Sequence, residues 1–193
     1  MPSDPVILAF DTTAAHCAAA LLCGDRVLLS HAEEMGRGQA ERLIPLLEEV
    51  LSKADLTWHD LDALAVGVGP GNFTGIRISV SAARGLALGL NIPAVGVSGF
   101  DAIAQISDDL PAIPGPRGKL YVGQTTPDLI EAEELTVPVA LPPAPADFAV
   151  AIAKAAQQRL AQGGTIPAPA PLYIKPADAA PSKDAPPVIL DDV

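Results

Sequence analysis

The feature that most constrains this fold is a glycine-rich segment, which reads GVGPGNFTG from Gly67 to Gly75. It follows an apolar run at residues 61–68 and precedes a helical pattern at residues 75–90, which Asn91 would end. Glycines let the backbone turn sharply within a few residues. The segment therefore predicts a strand, a tight turn and a helix in immediate succession.

The residues before this segment predict three further strands. Residues 6–10 form a short apolar run, as is typical of a buried strand. Residues 15–23 and 26–33 are strand candidates, and Gly24-Asp25 between them is a tight-turn signal. We therefore expect a three-stranded meander at the start of the chain.

Two more helices and a strand complete the pattern of the first half. Residues 39–54 carry apolar side chains at three- and four-residue spacing, although Pro45 predicts a kink or a regular helix that begins near it. Residues 94–97 predict a strand, and Ser98 would cap a helix that reaches residue 107. The order β-β-β-α-β-α-β-α indicates an α/β fold, a mixed sheet with helices on its faces.

Proline changes the pattern after residue 107. Of the 20 prolines, 15 lie between Pro111 and Pro187, and proline interrupts both ladders and helices. We still expect a strand at residues 119–126, a helix at 146–161, a short strand at 172–175 and an extended tail from Pro176. The chain is thus divided into residues 1–107 and a less regular part, residues 108–193.

Charge and composition limit the partners. The net charge is −11, which would repel a phosphate backbone, so an RNA substrate would have to be held by another protein. Cys17 and Cys23 lie on one predicted strand, too far apart to form a disulfide. Neither a signal peptide nor a membrane span is predicted, so we expect a cytoplasmic protein that makes no membrane contact.

Several segments, in this order, resemble the bacterial TsaB (YeaZ) family. The GPG-x-FTG-x-R part of the glycine-rich segment is the most specific. The first-half segments are ILAFDTT (residues 7–13), AERLIPLL (40–47), GPGNFTGIRI (69–78), GLALG (85–89) and PAVGVS (93–98). The matches in the second half, RGKLYV (117–122) and PLYIKP (171–176), are thinner.

The resemblance implies an actin-like, ribonuclease-H-like fold with two lobes. It also implies a non-catalytic scaffold and dimerization subunit of the machinery that makes threonylcarbamoyladenosine. The partners would be TsaD, which transfers the threonylcarbamoyl group to N6 of adenosine 37 in tRNAs that read ANN codons, and TsaE. A homodimer is expected when the partner is absent. The tRNA would be contacted only through the complex.

Two departures from the family affect the second lobe. An Asp-Ala-Arg-like segment usually begins that lobe, whereas this chain has PGPR at residues 114–117. The chain is also shorter than typical members, and the loss falls between Pro138 and Pro142. We therefore expect a reduced second lobe.

The glycine-rich segment and the end of the first strand form a candidate anion site. A helix N-terminus favours anions, yet the Walker pattern needs Lys-Ser/Thr after the last glycine, where this chain has Ile76-Arg77. A tight structural turn is the preferred interpretation, and the site is interpreted as vestigial. Its residues are Asp11, Thr12, Thr13, Gly71, Asn72, Thr74 and Arg77.

Two enzyme classes remain as alternatives. An actin-like kinase or ATPase needs a second phosphate loop in the other lobe, and the sequence offers none. A protease-like hydrolase related to metallopeptidases needs a metal or nucleophile cluster, but His16, His31 and His59 are scattered. We therefore expect no catalytic residue, no bound metal and no cofactor held by this chain alone. ATP or ADP could bind at an interface within the complex.

The helix at residues 75–90 predicts a partner surface. Small residues recur at four-residue intervals, which lets another helix approach closely, and apolar residues occupy more than one face. The neighbouring helix at residues 39–54 would lie beside it, so that the two form a four-helix bundle with a partner. The predicted interface residues are Arg42, Leu46, Gly75, Ile76, Ser79, Val80, Ala83 and Ala87.

Overall fold

The computed structural model describes residues 4–174, which form two β-sheets and four α-helices. The larger sheet has five strands in the order β3-β2-β1-β4-β5. Strand β1 pairs antiparallel with β2 and parallel with β4, so this sheet is mixed as predicted. Its strands are β1 (Val6–Asp11), β2 (His16–Cys23), β3 (Arg26–Glu34), β4 (Ala63–Gly67) and β5 (Ala94–Val97).

Helices cover both faces of this sheet, which is why its central strands are apolar throughout rather than alternating. Helices α1 (Gln39–Lys53) and α2 (Phe73–Leu90) pack side by side on one face. Helices α3 (Gly99–Ile103) and α4 (Pro145–Ala161) pack on the other. The order predicted for the first half of the chain is confirmed.

Helix α1 is continuous from Gln39 through Pro45, so its regular part does not begin near the proline. Pro45 is exposed, and Leu43, Leu46 and Leu47 on the inner side are buried. The apolar face therefore holds the helix against the sheet on both sides of the proline. The third helix, by contrast, ends at Ile103, before the predicted residue 107.

The smaller sheet has the order β8-β7-β6-β9. Its strands are β6 (Leu110–Pro114), β7 (Lys119–Val122), β8 (Asp128–Glu131) and β9 (Val139–Ala140). Only β7 was predicted, and it ends at Val122 rather than at residue 126. Strand β6 was missed because it contains Pro111 and Pro114, which usually argue against a strand inside a sheet.

The C-terminal half of the chain completes the core of the larger sheet. Helix α4 was predicted at residues 146–161, and it lies across strands β1 to β5. Phe148 and Ile152 of α4 are buried with Ile7 of β1 and Ala65 of β4. A boundary at residue 107 therefore does not separate two independent cores.

The predicted strand at residues 172–175 does not form within the described residues. The backbone N–H of Leu172 donates to the carbonyl of Val68 at 2.8 Å, but residues 171–174 belong to no strand ladder. Lys175 and the predicted extended tail from Pro176 lie outside the described residues.

Candidate functional site

A buried carboxylate stands at the end of β1, where the hairpin to β2 begins. One oxygen of Asp11, Oδ2, accepts hydrogen bonds from the backbone N–H of Thr13 (3.2 Å) and from its hydroxyl (3.0 Å). The same oxygen lies 2.7 Å from Nε2 of His16, the first residue of β2. Asp11 is fully buried, and His16 is 7% exposed. The hairpin is thus closed around its own carboxylate.

Sequence reasoning missed the role of His16, which it treated as one of three scattered histidines. The hairpin register could have located it, because Asp11 pairs with Ala18 and His16 begins the same strand. His31 and His59 lie elsewhere, on β3 and on a short turn after α1. Among residues 4–174, no group of three or more His, Cys, Asp or Glu side chains is placed to hold a metal ion.

Gln39, at the first position of α1, fastens this hairpin to the helix. Its side-chain nitrogen donates to the carbonyl oxygens of Thr12 (3.2 Å), Ala14 (2.6 Å) and His16 (2.9 Å). Gln39 is 8% exposed, and without it the buried carbonyls of Thr12 and His16 would lose this donor, whereas the carbonyl of Ala14 also accepts the N–H of His16. No sequence signal marks this residue, since its partners are backbone atoms more than 20 residues away.

The backbone of the glycine-rich segment packs so closely against the hairpin that several of its positions have room only for glycine. A Cβ at Gly67 would overlap Oδ1 of Asp11, and Cβ atoms at Gly71 and Gly75 would overlap the carbonyls of Thr13 and Thr12. The segment also contains a cis peptide bond between Gly69 and Pro70. The contacts support the interpretation of this segment as a tight structural turn.

The residues of the predicted anion site come together only in part. The hydroxyl of Thr12 donates to the carbonyl of Gly75 at 2.7 Å, and Oδ1 of Asn72 caps α2 by accepting the N–H of Gly75 at 2.9 Å. Asp11, Thr12, Thr13, Gly71 and Asn72 are therefore neighbours, and their polar groups bond mostly to one another.

Thr74 and Arg77 lie on the outer side of α2, away from this cluster. The guanidinium of Arg77 stacks 3.9 Å from the ring centroid of Phe73, and its Nε donates to the hydroxyl of Tyr173 at 3.2 Å. The Phe73 and Tyr173 rings are 5.0 Å apart. Arg77 thus anchors the end of the described chain instead of facing the hairpin.

A cavity of about 440 Å³ lies between the hairpin, the glycine-rich segment and the smaller sheet. Neither Lys nor Arg lines it, and a polyphosphate needs such cations or a metal in a cleft that excludes water. The cavity therefore offers a polyphosphate no cationic side chain. Its lining comprises Thr13, Ala14, His16, Pro70, Gly71, Asn72, Ile113, Pro114, Leu141, Pro142, Pro143, Pro145 and Phe148.

The structure corrects the residues predicted for the partner surface. Most of them are covered by the chain's own sheet, so they cannot contact a partner in this fold. Ser79, for example, is fully buried, and its hydroxyl lies 3.1 Å from the carbonyl of Gly67 at the end of β4. The buried residues are Leu46, Gly75, Ile76, Ser79, Val80 and Ala83, whereas Arg42 and Ala87 are partly exposed.

The outward face of α2 is a different set of residues. Thr74, Arg77, Ser81, Arg84 and Leu88 are exposed and follow one another at three- and four-residue spacing. Leu88 is 85% exposed, the largest exposure among the exposed large hydrophobic side chains of residues 4–174. Arg77 and Arg84 make no ion pair within those residues.

The outward face of the neighbouring α1 is acidic. Glu41, Glu48 and Glu49 are exposed there, with Ile44 and Pro45 between them. We call these five residues and the five on α2 the outer helix face. Within residues 4–174, Glu41 and Glu48 make no ion pair. The outer helix face is therefore acidic over α1, basic over α2, and apolar at Ile44 and Leu88.

Arg42 joins α1 to the edge strand β3. Its guanidinium binds Glu33 at 2.6 and 2.8 Å and Glu49 at 2.7 and 2.8 Å. The hydrogen bonds from Arg42 lower the pKa of Glu33 to about 2 and also lower the pKa of Glu49. Arg42 is thus held in an ion-pair network with Glu33 and Glu49, while its side chain stays 26% exposed.

Neither cysteine is placed as a reactive site, and the helices of the described residues show no membrane-spanning segment. Cys17 and Cys23 are free, and burial raises the pKa of the Cys17 thiol to about 11, so it is not a reactive thiolate. In the described part of the chain, none of the helices has the length and apolar character needed to cross a bilayer.

Comparison with known proteins identifies the family. The model described as "TsaD: tRNA N6-adenosine threonylcarbamoyltransferase" matches residues 31–182. The "tRNA threonylcarbamoyladenosine biosynthesis protein TsaB" of Escherichia coli is 40% identical over 99 residues, 51% of this chain and 42% of that protein. The same-named protein of Haemophilus influenzae is 32% identical over 136 residues, 66% of this chain and 56% of that protein. The chain thus spans about half the length of these curated relatives.

Solved structures agree on the fold. A Pseudomonas aeruginosa crystal structure described as an uncharacterized protein with similarity to peptidase YEAZ has a TM-score of 0.74 and 26% identity, covering 89% of this chain and all of that one. YeaZ from the same organism has a TM-score of 0.71 at 26% identity, covering 88% and 99%. The actin-like, ribonuclease-H-like α/β fold with two mixed sheets is confirmed. Since the family model matches well over half of the 193 residues, the chain belongs to the threonylcarbamoyltransferase family that this model describes, and within it to the TsaB (YeaZ) family.

Proposed function

We propose that this chain is a non-catalytic scaffold subunit for the synthesis of threonylcarbamoyladenosine in tRNA, and that it docks through its outer helix face onto a TsaD-type transferase. TsaD would transfer the threonylcarbamoyl group to N6 of adenosine 37 in tRNAs that read ANN codons. TsaE is the third component of the proposed assembly. The single observation that carries the proposal is the unpartnered outer helix face.

The outer helix face has the composition of a docking surface. Leu88 is an almost fully exposed apolar side chain on a helix that is otherwise well packed, and Ile44 lies on the helix beside it at 36% exposure. An exposed apolar centre with a polar rim is the usual arrangement of a protein–protein interface. Arg84 and Glu48 supply rim charges that are not used within residues 4–174. A partner helix pair would bury this apolar centre and complete a four-helix bundle.

The hairpin site supports a scaffold rather than an enzyme. In an active nucleotide cleft, the hydroxyls and the carboxylate at the end of β1 would be free for phosphate or metal. Here Thr12 and Thr13 donate inward, and Oδ2 of Asp11 is already surrounded by three donors. The other oxygen, Oδ1, has no hydrogen-bond partner within residues 4–174, but it is buried against Gly67, where neither phosphate nor metal has room. The actin-like kinase or ATPase and the protease-like hydrolase therefore gain no support from this geometry.

Several parts of the proposal follow from charge and from the family. With a net charge of −11, the chain would contact tRNA only through the complex. The complex would work in the cytoplasm, and ATP or ADP would bind at an interface between subunits rather than in this chain alone. The chain would form a homodimer through the same face when TsaD is absent.

Co-purification with TsaD tests the proposal. Leu88→Asp places a charge at the apolar centre of the outer helix face, and we expect it to weaken co-purification at least tenfold. The matched control is Ile106→Asp, which changes a side chain of 50% exposure near α3, on the opposite side of the sheet. Both variants should keep the thermal unfolding midpoint of the parent. Equal recovery of TsaD with the two variants would refute docking through α1 and α2.

A turnover assay tests the non-catalytic part separately. The purified chain alone should neither hydrolyse ATP nor modify tRNA, whereas addition of TsaD and TsaE should give a modifying complex. ATP turnover by the pure chain that is abolished by Asp11→Asn would instead favour the actin-like ATPase.

A further inference from the structure

The cavity between the two sheets is a built site that the proposed scaffold role does not use. Its volume of about 440 Å³ lies within the range of small-molecule sites, which is about 300–1,000 Å³. Most of its wall is apolar, from five prolines, Leu141, Ile113 and Phe148. Phe148 is 5% exposed and Ile113 is 8% exposed, so these two side chains form a fixed floor.

His16 supplies the polar end of the cavity. Its side chain is 9% exposed, and its Nε2 is held 2.7 Å from Oδ2 of Asp11. The other ring nitrogen, Nδ1, makes no hydrogen bond within residues 4–174. Thr13 donates twice to the same Asp11 oxygen. With Asp11 as a carboxylate, that oxygen only accepts, so Nε2 of His16 is the donor of the 2.7 Å bond. In the neutral imidazole, Nδ1 is then an acceptor without a partner.

The charges around the cavity select against anions. The lining contains neither Lys nor Arg, and the Asp11 carboxylate lies directly behind His16. A phosphate or a second carboxylate would have to leave water without a cation to meet it, which is strongly unfavourable. An uncharged molecule does not incur this free-energy cost of removing an unpaired charge from water.

We propose that this cavity binds a small uncharged molecule with an apolar body and one N–H or O–H donor, and that His16 Nδ1 accepts the hydrogen bond from that donor. The apolar body occupies the space between Pro142, Leu141 and Phe148. The donor selects among apolar molecules of the same shape. Asp11 and Thr13 are positioning residues, since they fix the ring and its proton.

Two bicyclic probes of the same shape test this directly. Indole carries an N–H donor, and indene does not. Titration of the isotope-labelled full chain, followed by NMR, should place both probes at residues 13–16 and 141–148, with indole bound at least tenfold more tightly because indene leaves Nδ1 unpaired. ATP should leave these signals unchanged.

Two variants separate the hydrogen bond from the apolar wall. His16→Phe keeps an aromatic ring at this place but has no acceptor atom, so the preference for indole should fall to about one. Leu141→Trp fills the cavity from its rim, where Leu141 is 50% exposed, and should block both probes while His16 is unchanged.

The remaining outcomes would each overturn the proposal. Equal affinity of indole and indene for the parent chain would remove the role of His16. Absence of shifts at residues 13–16 and 141–148 with both probes would mean that the cavity takes no ligand of this class. ATP-induced shifts at the same residues would show that the cavity accepts anions. Since none of these experiments includes TsaD, their failure leaves the scaffold proposal standing.

Discussion

The side-chain nitrogen of Gln39 lies 2.6 Å from the carbonyl oxygen of Ala14, although 25 residues separate them. Gln39 begins α1, one of the two helices of the outer helix face, and Ala14 lies in the hairpin that carries the Asp11–His16 pair. One side chain therefore joins the proposed docking helix to the backbone of the hairpin that holds the buried carboxylate.

Gln39→Ala should destabilise the fold by about 2–3 kcal/mol, because it leaves buried carbonyl groups of Thr12 and His16 without a donor. Urea unfolding monitored by circular dichroism gives this difference. The matched control is Gln158→Ala on the exposed side of α4, which should change stability by less than about 0.5 kcal/mol. A loss of similar size in both variants would mean that the hairpin does not depend on Gln39.

Two glycine-to-alanine substitutions should have opposite effects. Gly67→Ala places a Cβ against Oδ1 of Asp11 and should cost at least about 2 kcal/mol, since neither the strand nor the buried carboxylate has room to move. Gly85→Ala on α2 meets no atom within 4 Å and should stabilise the helix by about 0.5–1 kcal/mol. The measurement is again urea unfolding. A Gly67→Ala chain as stable as the parent would contradict the packing described here.

The pH dependence of stability should reveal the Arg42–Glu33 pair. The pKa of Glu33 is lowered from 4.5 to about 2 in the folded chain, chiefly by hydrogen bonds from Arg42. A carboxyl group with a lowered folded pKa stabilises the fold fully above its unfolded pKa, and this contribution is lost as the pH falls toward the folded pKa. The difference in stability between the parent and Glu33→Gln should therefore be constant above about pH 5 and shrink between pH 4.5 and pH 2.

Salt and a second variant provide the control for this pair. Glu33 and Arg42 are partly exposed, so added salt should reduce the effect. Glu48→Gln removes an exposed carboxylate that makes no ion pair within residues 4–174, and it should lack this pH-dependent difference. The same pH profile in both variants would assign the effect to overall charge instead.

Charge reversal can test the predicted homodimer. If two copies pair around a two-fold axis with α1 of one against α2 of the other, Glu48→Lys and Arg84→Glu should each weaken self-association at least tenfold, through repulsion across the interface. An equimolar mixture should recover a heterodimer, because Lys at position 48 of one copy then meets Glu at position 84 of the other, and the second contact keeps the native pair. Analytical ultracentrifugation measures all three samples.

Dimers of either single variant at the parent's strength, or a mixture that stays monomeric, would contradict this arrangement. The matched control is Arg117→Glu with Glu133→Lys on the smaller sheet's side of the chain, which should leave self-association unchanged.

The sequence predicted the larger sheet well because hydrophobic periodicity and turn signals are local. Residues 15–23 and 26–33 were assigned within one residue of their bounds, and so was the start of α1 at Gln39. Strand β6 was missed because Pro111 disfavours a strand inside a sheet. Its pairing with β7 and β9 is a tertiary property that overrides this local preference and cannot be read from the sequence.

Most residues predicted for the partner surface are buried in the chain's own fold, and the reason is physical. Small residues at four-residue spacing, such as Ser79 and Ala83, indicate that something approaches the helix closely, but not what approaches it. Here it is the chain's own sheet: Ser79 contacts the carbonyl of Gly67, and Ala83 is fully buried. Leu88, the exposed residue that differs most from its surroundings, was not in the predicted set because exposure of a single leucine cannot be seen in a pattern.

Helix α4 covers one face of a sheet whose five strands all precede it in the chain. During synthesis, the apolar side chains of Ile7, Ala65 and Val97 on that face stay uncovered until residues 145–161 have left the ribosome. A nascent chain stalled before that point would expose an apolar sheet face, which chaperones could bind and which would be prone to aggregation. Folding of the larger sheet is therefore completed only after translation has passed the proline-rich stretch.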